Sequence, residues 1–332
     1  MKNRARLLLL AAFAAVLGTL PAAAQTPVTF SHDFRALGRH AAWYVALDKG
    51  YYKQAGLDVT IVPSQGTAQA IQNLEANAAQ FAFSDVAGLV AARANCSASA
   101  KMIAVIYQKA PYAIFSLKSG ANVTRPEQLE GLEIASGAGS FTQKVIAAFM
   151  IEKGLNPSTV KYTNIDPAAR VALLVSKKVP AIETFVMSKP GLAKAAPGDD
   201  QTFLLADHGL KLYSNGILAR ADYLAAHADV AKAFVKASLQ GWRDTIADPK
   251  GAAAIVGKYV QALDPAVALA EIDIVDDLVV TPQTQANGLG AIDPAVMAAS
   301  VDLIAKSVDN GSKVKAADVY DASFLPQPPV KP

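Results

Sequence analysis

Several groups of side chains in this 332-residue chain have the types and spacing to do chemistry. Gly137-Ala138-Gly139-Ser140-Phe141 stands where a strand pattern gives way to a helix pattern. Glycines let backbone N–H groups approach a ligand, and a helix start carries partial positive charge. With the Ser140 hydroxyl, the stretch suits a carboxylate, a sulfonate or another small anion. It reads equally as an ordinary tight turn, and the third glycine of a dinucleotide fingerprint is missing, since Thr142 stands there. Arg35, Arg39 and His40 occupy a loop after the first strand, where a guanidinium could clamp an anion from an opposite wall or remain a solvated loop charge. Trp43 and Phe141 offer flat faces for a planar ligand, or core bulk. Ser84-Asp85 ends a strand and can bond a ligand or cap the next helix. Glu183 interrupts the apolar run Ala181 to Val186, so it must face a cleft or an ion partner. His32, Asp33 and His40 have metal-ligand chemistry; the plainer reading is a strand-end and a helix-start histidine, and no metal or other cofactor is expected. H-E-x-x-H, paired C-x-x-C, G-x-x-x-x-G-K-[ST] and G-x-S-x-G are all absent, which argues against an enzyme.

These residues need a frame, and its clearest stretch runs from His40 to Val62. Helical spacing through Tyr52 is interrupted at Gly50 and Gly56, and the alternation Leu57, Val59, Ile61 then marks a strand. Val28 to Asp33 supplies a strand before it. Strand–helix–strand units build parallel sheets, which bind ligands at the carboxyl ends of their strands. Further strands are expected at Phe81 to Phe83 and Met102 to Tyr107, with Pro63-Ser64-Gln65-Gly66-Thr67 as the loop after the second strand. The pattern restarts near Pro111 with strands at Tyr112 to Leu117, Leu132 to Ser136, Val160 to Ile165, Ala181 to Val186 and Thr202 to Leu205. Gly216 to Ala219 returns to the first lobe. Asp166-Pro167, Asp264-Pro265 and Asp293-Pro294 read as helix-opening pairs. The fold class is therefore α/β, two-lobed, each lobe a mostly parallel sheet flanked by helices. Residues 25–111 and 213–325 form lobe 1 and residues 112–212 lobe 2, joined by two hinge crossings; residues 326–332 form a flexible, proline-rich tail.

Lys2, Arg4 and Arg6, the apolar run Leu7 to Leu20 and the small residues before Gln25 read as a secretory signal peptide cleaved near Ala24. The chain that remains, about 300 residues, is long enough for two lobes with cores of their own. The whole chain carries 31 basic and 28 acidic residues; without the leader it is formally neutral, which gives no support for nucleic-acid binding. One cysteine, Cys96, excludes an intrachain disulfide.

W-Y-x-A-x-x-K-G-Y-Y-x-x-x-G-L-D-V, from Trp43 to Val59, resembles the opening signature of a family of periplasmic solute-binding proteins. That family serves ABC importers for sulfonates, taurine, nitrate and the pyrimidine precursors of thiamine. Gln69 to Phe83, Pro126 to Ile134 and Ala147 to Leu155 match three further segments in order. The family's G-x-[VI]-D-A element is not kept, since Lys178-Val179-Pro180-Ala181-Ile182 stands in its place. An exported enzyme related to the thiamine-pyrimidine synthases is the alternative function, but those relatives carry a cysteine-rich motif and this chain has one cysteine, Cys96. The resemblance implies a periplasmic monomer with a Venus-flytrap cleft, which captures an anionic sulfonate- or carboxylate-like solute, or alternatively a pyrimidine. Its partners would be a permease and its ATPase at the inner membrane. Carried over by position, ligand contacts would come from Arg39, His40, Trp43, Gly66, Thr67, Ser84, Asp85, Gly137, Ala138, Gly139, Ser140 and Phe141, with Glu183 and Tyr213 closing the far wall.

Overall fold

The computed structural model describes residues 24–95, 98–137 and 140–332. The leader, Cys96, and Ala138 and Gly139 of the glycine turn lie outside the described residues. Ten strands form two five-stranded sheets. β1 (Thr26–Ser31), β2 (Leu57–Val62), β3 (Phe81–Asp85), β4 (Ala100–Val105) and β10 (Asn215–Arg220) make the first, in the order β2-β1-β3-β10-β4. β5 (Tyr112–Leu117), β6 (Glu133–Ser136), β7 (Lys161–Asn164), β8 (Ala181–Phe185) and β9 (Asp200–Leu204) make the second, in the order β7-β6-β8-β5-β9.

Both sheets are mixed. β1 pairs in parallel with β2 and β3, whereas β10 runs antiparallel to β3 and β4. β6 pairs in parallel with β7 and β8, and β5 is antiparallel to β8 and β9. One strand in each sheet is thus reversed, and it is the strand by which the chain arrives from the other sheet. The crossings run from β4 to β5 and from β9 back to β10. The other strands of each sheet point one way and aim the loops at their carboxyl ends toward the other sheet.

Alternating apolar residues on the first sheet meet a helical layer. Phe30, Phe81 and Phe83 pack against Trp43 of helix Ala41–Asp48 and Phe234 and Trp242 of helix Ala228–Ala247. The ring centroids of Trp43 lie 4.8 Å from Phe30, 5.2 Å from Phe83 and 5.5 Å from Trp242. Each expected Asp-Pro pair opens a helical segment: the Asp166, Asp264 and Asp293 carboxylates accept first-turn N–H groups, and Asp248-Pro249 repeats the device. No helix among the described residues is long and apolar enough to cross a membrane.

The proline-rich tail is extended, but it is also tied down. Leu289 N donates to Val330 O at 2.7 Å, and Lys331 Nζ donates to Gln285 O and Ala286 O. Composition alone suggested a loose end; the free carbonyls at the end of helix Pro282–Asn287 supplied partners that composition does not reveal.

Candidate functional site

A cavity of about 360 Å³ lies between the sheets, lined by Asp33, Phe34, Arg35, Leu37 and Arg39 after β1, and Gln65, Gly66 and Thr67 after β2. The opposite wall carries Gly137, Ser140, Phe141 and Thr142 after β6, Pro167, Ala168 and Arg170 after β7, and Glu183, Thr184, Phe185 and Ser188 at the end of β8. Glu271, on helix Pro265–Val279, completes it. Apart from that helix, the cavity is built from loops at the carboxyl ends of strands, as in other open α/β sheets.

Two of the three arginines that line this cavity are ion-paired; Arg35, exposed at the rim, and the carboxylate of Asp33 meet no opposite charge in an ion pair with a lysine, arginine or carboxylate among the described residues. Arg39 Nη2 lies 3.5 Å from Glu271 Oε1, and the Arg39 backbone N–H donates to Glu271 Oε2 at 3.2 Å. The same guanidinium donates to Ser188 Oγ of the other wall at 3.2 Å, so the two walls are bridged. Gly38 makes this possible: a Cβ there would stand 2.5 Å from the backbone of Ala268, so only glycine lets the Arg39 turn lie against helix Pro265–Val279. Across the cavity, Arg170 Nη2 donates to Glu183 Oε1 at 2.5 Å, and the Ser136 and Ser140 hydroxyls donate to the same oxygen at 3.1 and 3.2 Å. Glu183 is 1% exposed. Burial pushes its carboxyl above the ordinary value, while Arg170 and the hydroxyls pull it partly back. Gly137 gives Arg170 its path, because a Cβ there would meet Pro167 Cγ at 3.1 Å and Arg170 Nη2 at 3.4 Å.

Asp33 is 7% exposed in the first wall. His40 Nε2 lies 2.9 Å from its Oδ1, and Asn215 Nδ2 donates to its Oδ2 at 2.8 Å. His40 Nδ1 accepts the Leu37 N–H at 3.0 Å, which leaves the ring proton on Nε2 as the donor to Asp33. Among the described residues no lysine or arginine reaches this carboxylate. His32 stacks on His40 at 4.5 Å and is fully buried, and that burial holds its imidazole well below the usual range. Both nitrogens of His40 are engaged, and no gathering of three or more His, Cys, Asp or Glu able to hold a metal occurs among the described residues.

Of the ligand contacts expected from the sequence, Arg39, Gly66, Thr67, Gly137, Ser140, Phe141 and Glu183 line the cavity. Ala138 and Gly139 fall outside the described residues. The other five take different places, each for a physical reason. Trp43 is wholly buried because its indole is the centre of the aromatic layer under the first sheet. His40 stands one layer back and orients Asp33. Ser84 donates to the carbonyl of Thr67 at 3.3 Å and so holds the loop that reaches the cavity. Asp85 caps helix Val86–Ala94 through the Ala87 N–H. Its carboxylate also accepts the hydroxyls of Tyr112 and Ser214, both at 2.5 Å, which ties the starts of β5 and β10 together. Tyr213 is buried in the second crossing, where its hydroxyl accepts the Asp293 N–H at 3.1 Å and its own N–H donates to Ser300. Sequence reasoning did not assign Asp33, Phe34, Arg170, Phe185, Ser188 or Glu271 to ligand contact. Asp33 and Phe34 were within reach of it, since they directly follow the first strand; Glu271 was not, because it lies 232 positions from Arg39.

A pair of lobes closed over a cavity at their strand ends is the architecture of the periplasmic binding proteins. Among solved structures, the alkanesulfonate-binding protein SsuA of Xanthomonas axonopodis pv. citri, bound to MOPS, superposes with a TM-score of 0.69 at 17% identity, over 91% of this chain and 99% of that one. The chain belongs to the NMT1/THI5 like family, whose model matches residues 38–252. It is 27% identical over 259 residues to the riboflavin-binding protein RibY of Chloroflexus aurantiacus, covering 73% of this chain and 72% of the relative. It is 21% identical over 211 residues to the formylaminopyrimidine-binding protein of Halalkalibacterium halodurans, covering 63% of each.

Proposed function

We propose that this chain is the substrate-binding component of an ABC importer. Exported to the periplasm and cleaved near Ala24, it acts as a monomer. It captures a small organic solute between its lobes and delivers it unchanged to a membrane permease and its ATPase. The observation that carries this reading is the cavity formed jointly by strand-end loops of both sheets, with Arg39 of one wall bonded to Ser188 of the other. A solute there touches both lobes only when they are shut, so binding shifts the hinge equilibrium toward the closed form, which the permease recognises. A volume of about 360 Å³ lies within the usual range of organic-ligand pockets and far exceeds what nitrate would fill. The likeness to a riboflavin-binding protein and to a formylaminopyrimidine-binding protein supports an organic solute.

The test combines titration calorimetry with transport. The purified mature chain is expected to bind one equivalent of its solute and return it chemically unchanged by mass spectrometry. Deleting the gene is expected to abolish high-affinity uptake of that solute. Uptake that persists at the wild-type rate, or a product formed at enzyme-like turnover, would overturn the reading.

A further inference from the structure

Helix Pro265–Val279 meets both lobes. Its Ala268 and Ile272 pack with Val45 and Val256 in the helical layer of the first lobe. Along another edge it meets the segment that follows β8 of the second sheet, the turn Val186–Ser188 and the helix Lys189–Ala195. The polar contacts along this edge step outward from the cavity. Innermost, Arg39, paired with Glu271, donates to Ser188 Oγ at 3.2 Å, and the Thr184 hydroxyl braces the same oxygen at 3.2 Å. Gly191 and Val267 lie farther along their segments, and both line the cavity. Outermost, the Lys194 ammonium is ion-paired with the Asp264 carboxylate. Residues 188, 191 and 194 of one segment thus match 271, 267 and 264 of the other. Positions three or four apart share a helix face, so the two faces run in opposite directions along one seam. Asp264 is held in place beforehand, because its carboxylate accepts the Ala266 and Val267 N–H groups at 2.9 and 3.3 Å. Only the Lys194 side chain has to be ordered when the seam forms.

We propose that this seam is an electrostatic clasp, in which the Lys194–Asp264 pair favours the shut lobes and sets the balance of open and closed forms of the solute-free chain. The clasp rests on the hinge closure of the importer reading above, and adds to it a contribution that does not pass through the solute. Every group in the seam belongs to the chain itself. Lys194 and Asp264 do not line the cavity, so they act on solute retention only by shifting the conformational balance. Both members of the pair are open to solvent, which makes the clasp sensitive to salt: the screening length falls from about 10 Å at 0.1 M to about 3 Å at 1 M.

The experiment measures the distance between the lobes in the solute-free mature chain. Nitroxide labels are placed on cysteines at the exposed positions Gln72 and Lys178, one in each lobe, in a Cys96→Ser background, and the distance distribution is read by double electron–electron resonance. At low salt, Lys194→Met is expected to lower the closed-to-open ratio about two- to fivefold. Lys194→Glu, which faces Asp264 with like charge, is expected to lower it further, and Lys194→Arg to keep the wild-type ratio. At about 1 M salt the wild type and Lys194→Met are expected to converge. Lys258→Met removes an exposed pair with Asp48 inside the first lobe and is expected to leave the ratio unchanged. Distributions that are the same in the wild type, Lys194→Met and Lys194→Glu at low salt, or a shift as large in Lys258→Met, overturn the clasp and leave the importer reading standing. Uptake that survives deletion of the gene overturns the importer reading, while the clasp still stands or falls on the measured distances.

Discussion

Removing Arg170 tests the electrostatic logic of the second wall. Arg170→Met keeps most of the apolar length of the side chain and deletes the charge that faces Glu183 at 2.5 Å. The side chains are 19% and 2% exposed, so the surviving carboxylate has little water to turn to. Breaking a buried pair by deleting one member typically costs about 3–5 kcal/mol; the partial exposure of Arg170 points to the lower end, about 3 kcal/mol. In a chain of this size that lowers the melting temperature by roughly 5 °C. The loss depends on pH, and its sign is fixed by the direction of the Glu183 shift. The folded carboxyl already titrates above its ordinary 4.5, chiefly because it is buried. The native state therefore holds this proton more tightly than the unfolded chain, and stability falls as pH rises from 4.5 through the folded value. Deleting Arg170 removes the largest opposing influence, so the window extends upward, adding about 1.4 kcal/mol of loss for each further pH unit. Urea unfolding is expected to show a large deficit at pH 8 and a smaller one at pH 4, below the ordinary carboxyl value of 4.5, where protonation removes the unpaired charge. Adding Glu183→Gln is expected to recover most of the pH 8 deficit. A deficit equal at both pH values and untouched by Glu183→Gln would refute the reasoning.

Three further outcomes follow from the same geometry. Trp43→Ala removes a wholly buried indole from the aromatic layer and is expected to cost about 3–5 kcal/mol in denaturant unfolding, while solute affinity of the folded fraction stays within about threefold, since the residue does not line the cavity. Asp85 is pushed up from 3.8 to about 6 by burial, against the pull of Ser214, Tyr112 and the Ala87 N–H. It too makes stability fall as pH rises, here between about 4 and 6, and Asp85→Asn is expected to remove that part of the pH–stability curve; an unchanged curve rules the carboxylate out as its source. Gly38→Ala sets a Cβ against Ala268 and pushes helix Pro265–Val279, with Glu271, away from Arg39. It is expected to cost about 1–3 kcal/mol and to weaken solute binding, both readable in one ligand-dependent thermal-shift series; lost stability with affinity intact would uncouple that turn from the cavity.

Much of the frame could be read from local patterns. Alternation at Leu57, Val59 and Ile61 announces β2, and the Asp-Pro pairs announce helix starts, because pairing and capping are decided by residues a few positions apart. The places of Gly66-Thr67, of Gly137 and of Ser140-Phe141 were legible for the same reason: a strand followed by a helix fixes where its carboxyl end must point. Residue types alone could not say which polar groups meet the cavity and which meet each other. Arg39 looked like a free anion clamp, but Glu271, far along the chain, answers it. Ser140 looked like a ligand donor, but its hydroxyl goes to Glu183. Asp85 looked like a cleft residue, and it ties the two hinge strands together instead. A charge in a sequence has no partner until folding brings one, and burial then makes that partner obligatory. The sequence by itself determined the elements and the loops they aim; only the tertiary structure decided that Asp33, with no lysine or arginine answering it, faces the cavity without a counter-charge of its own.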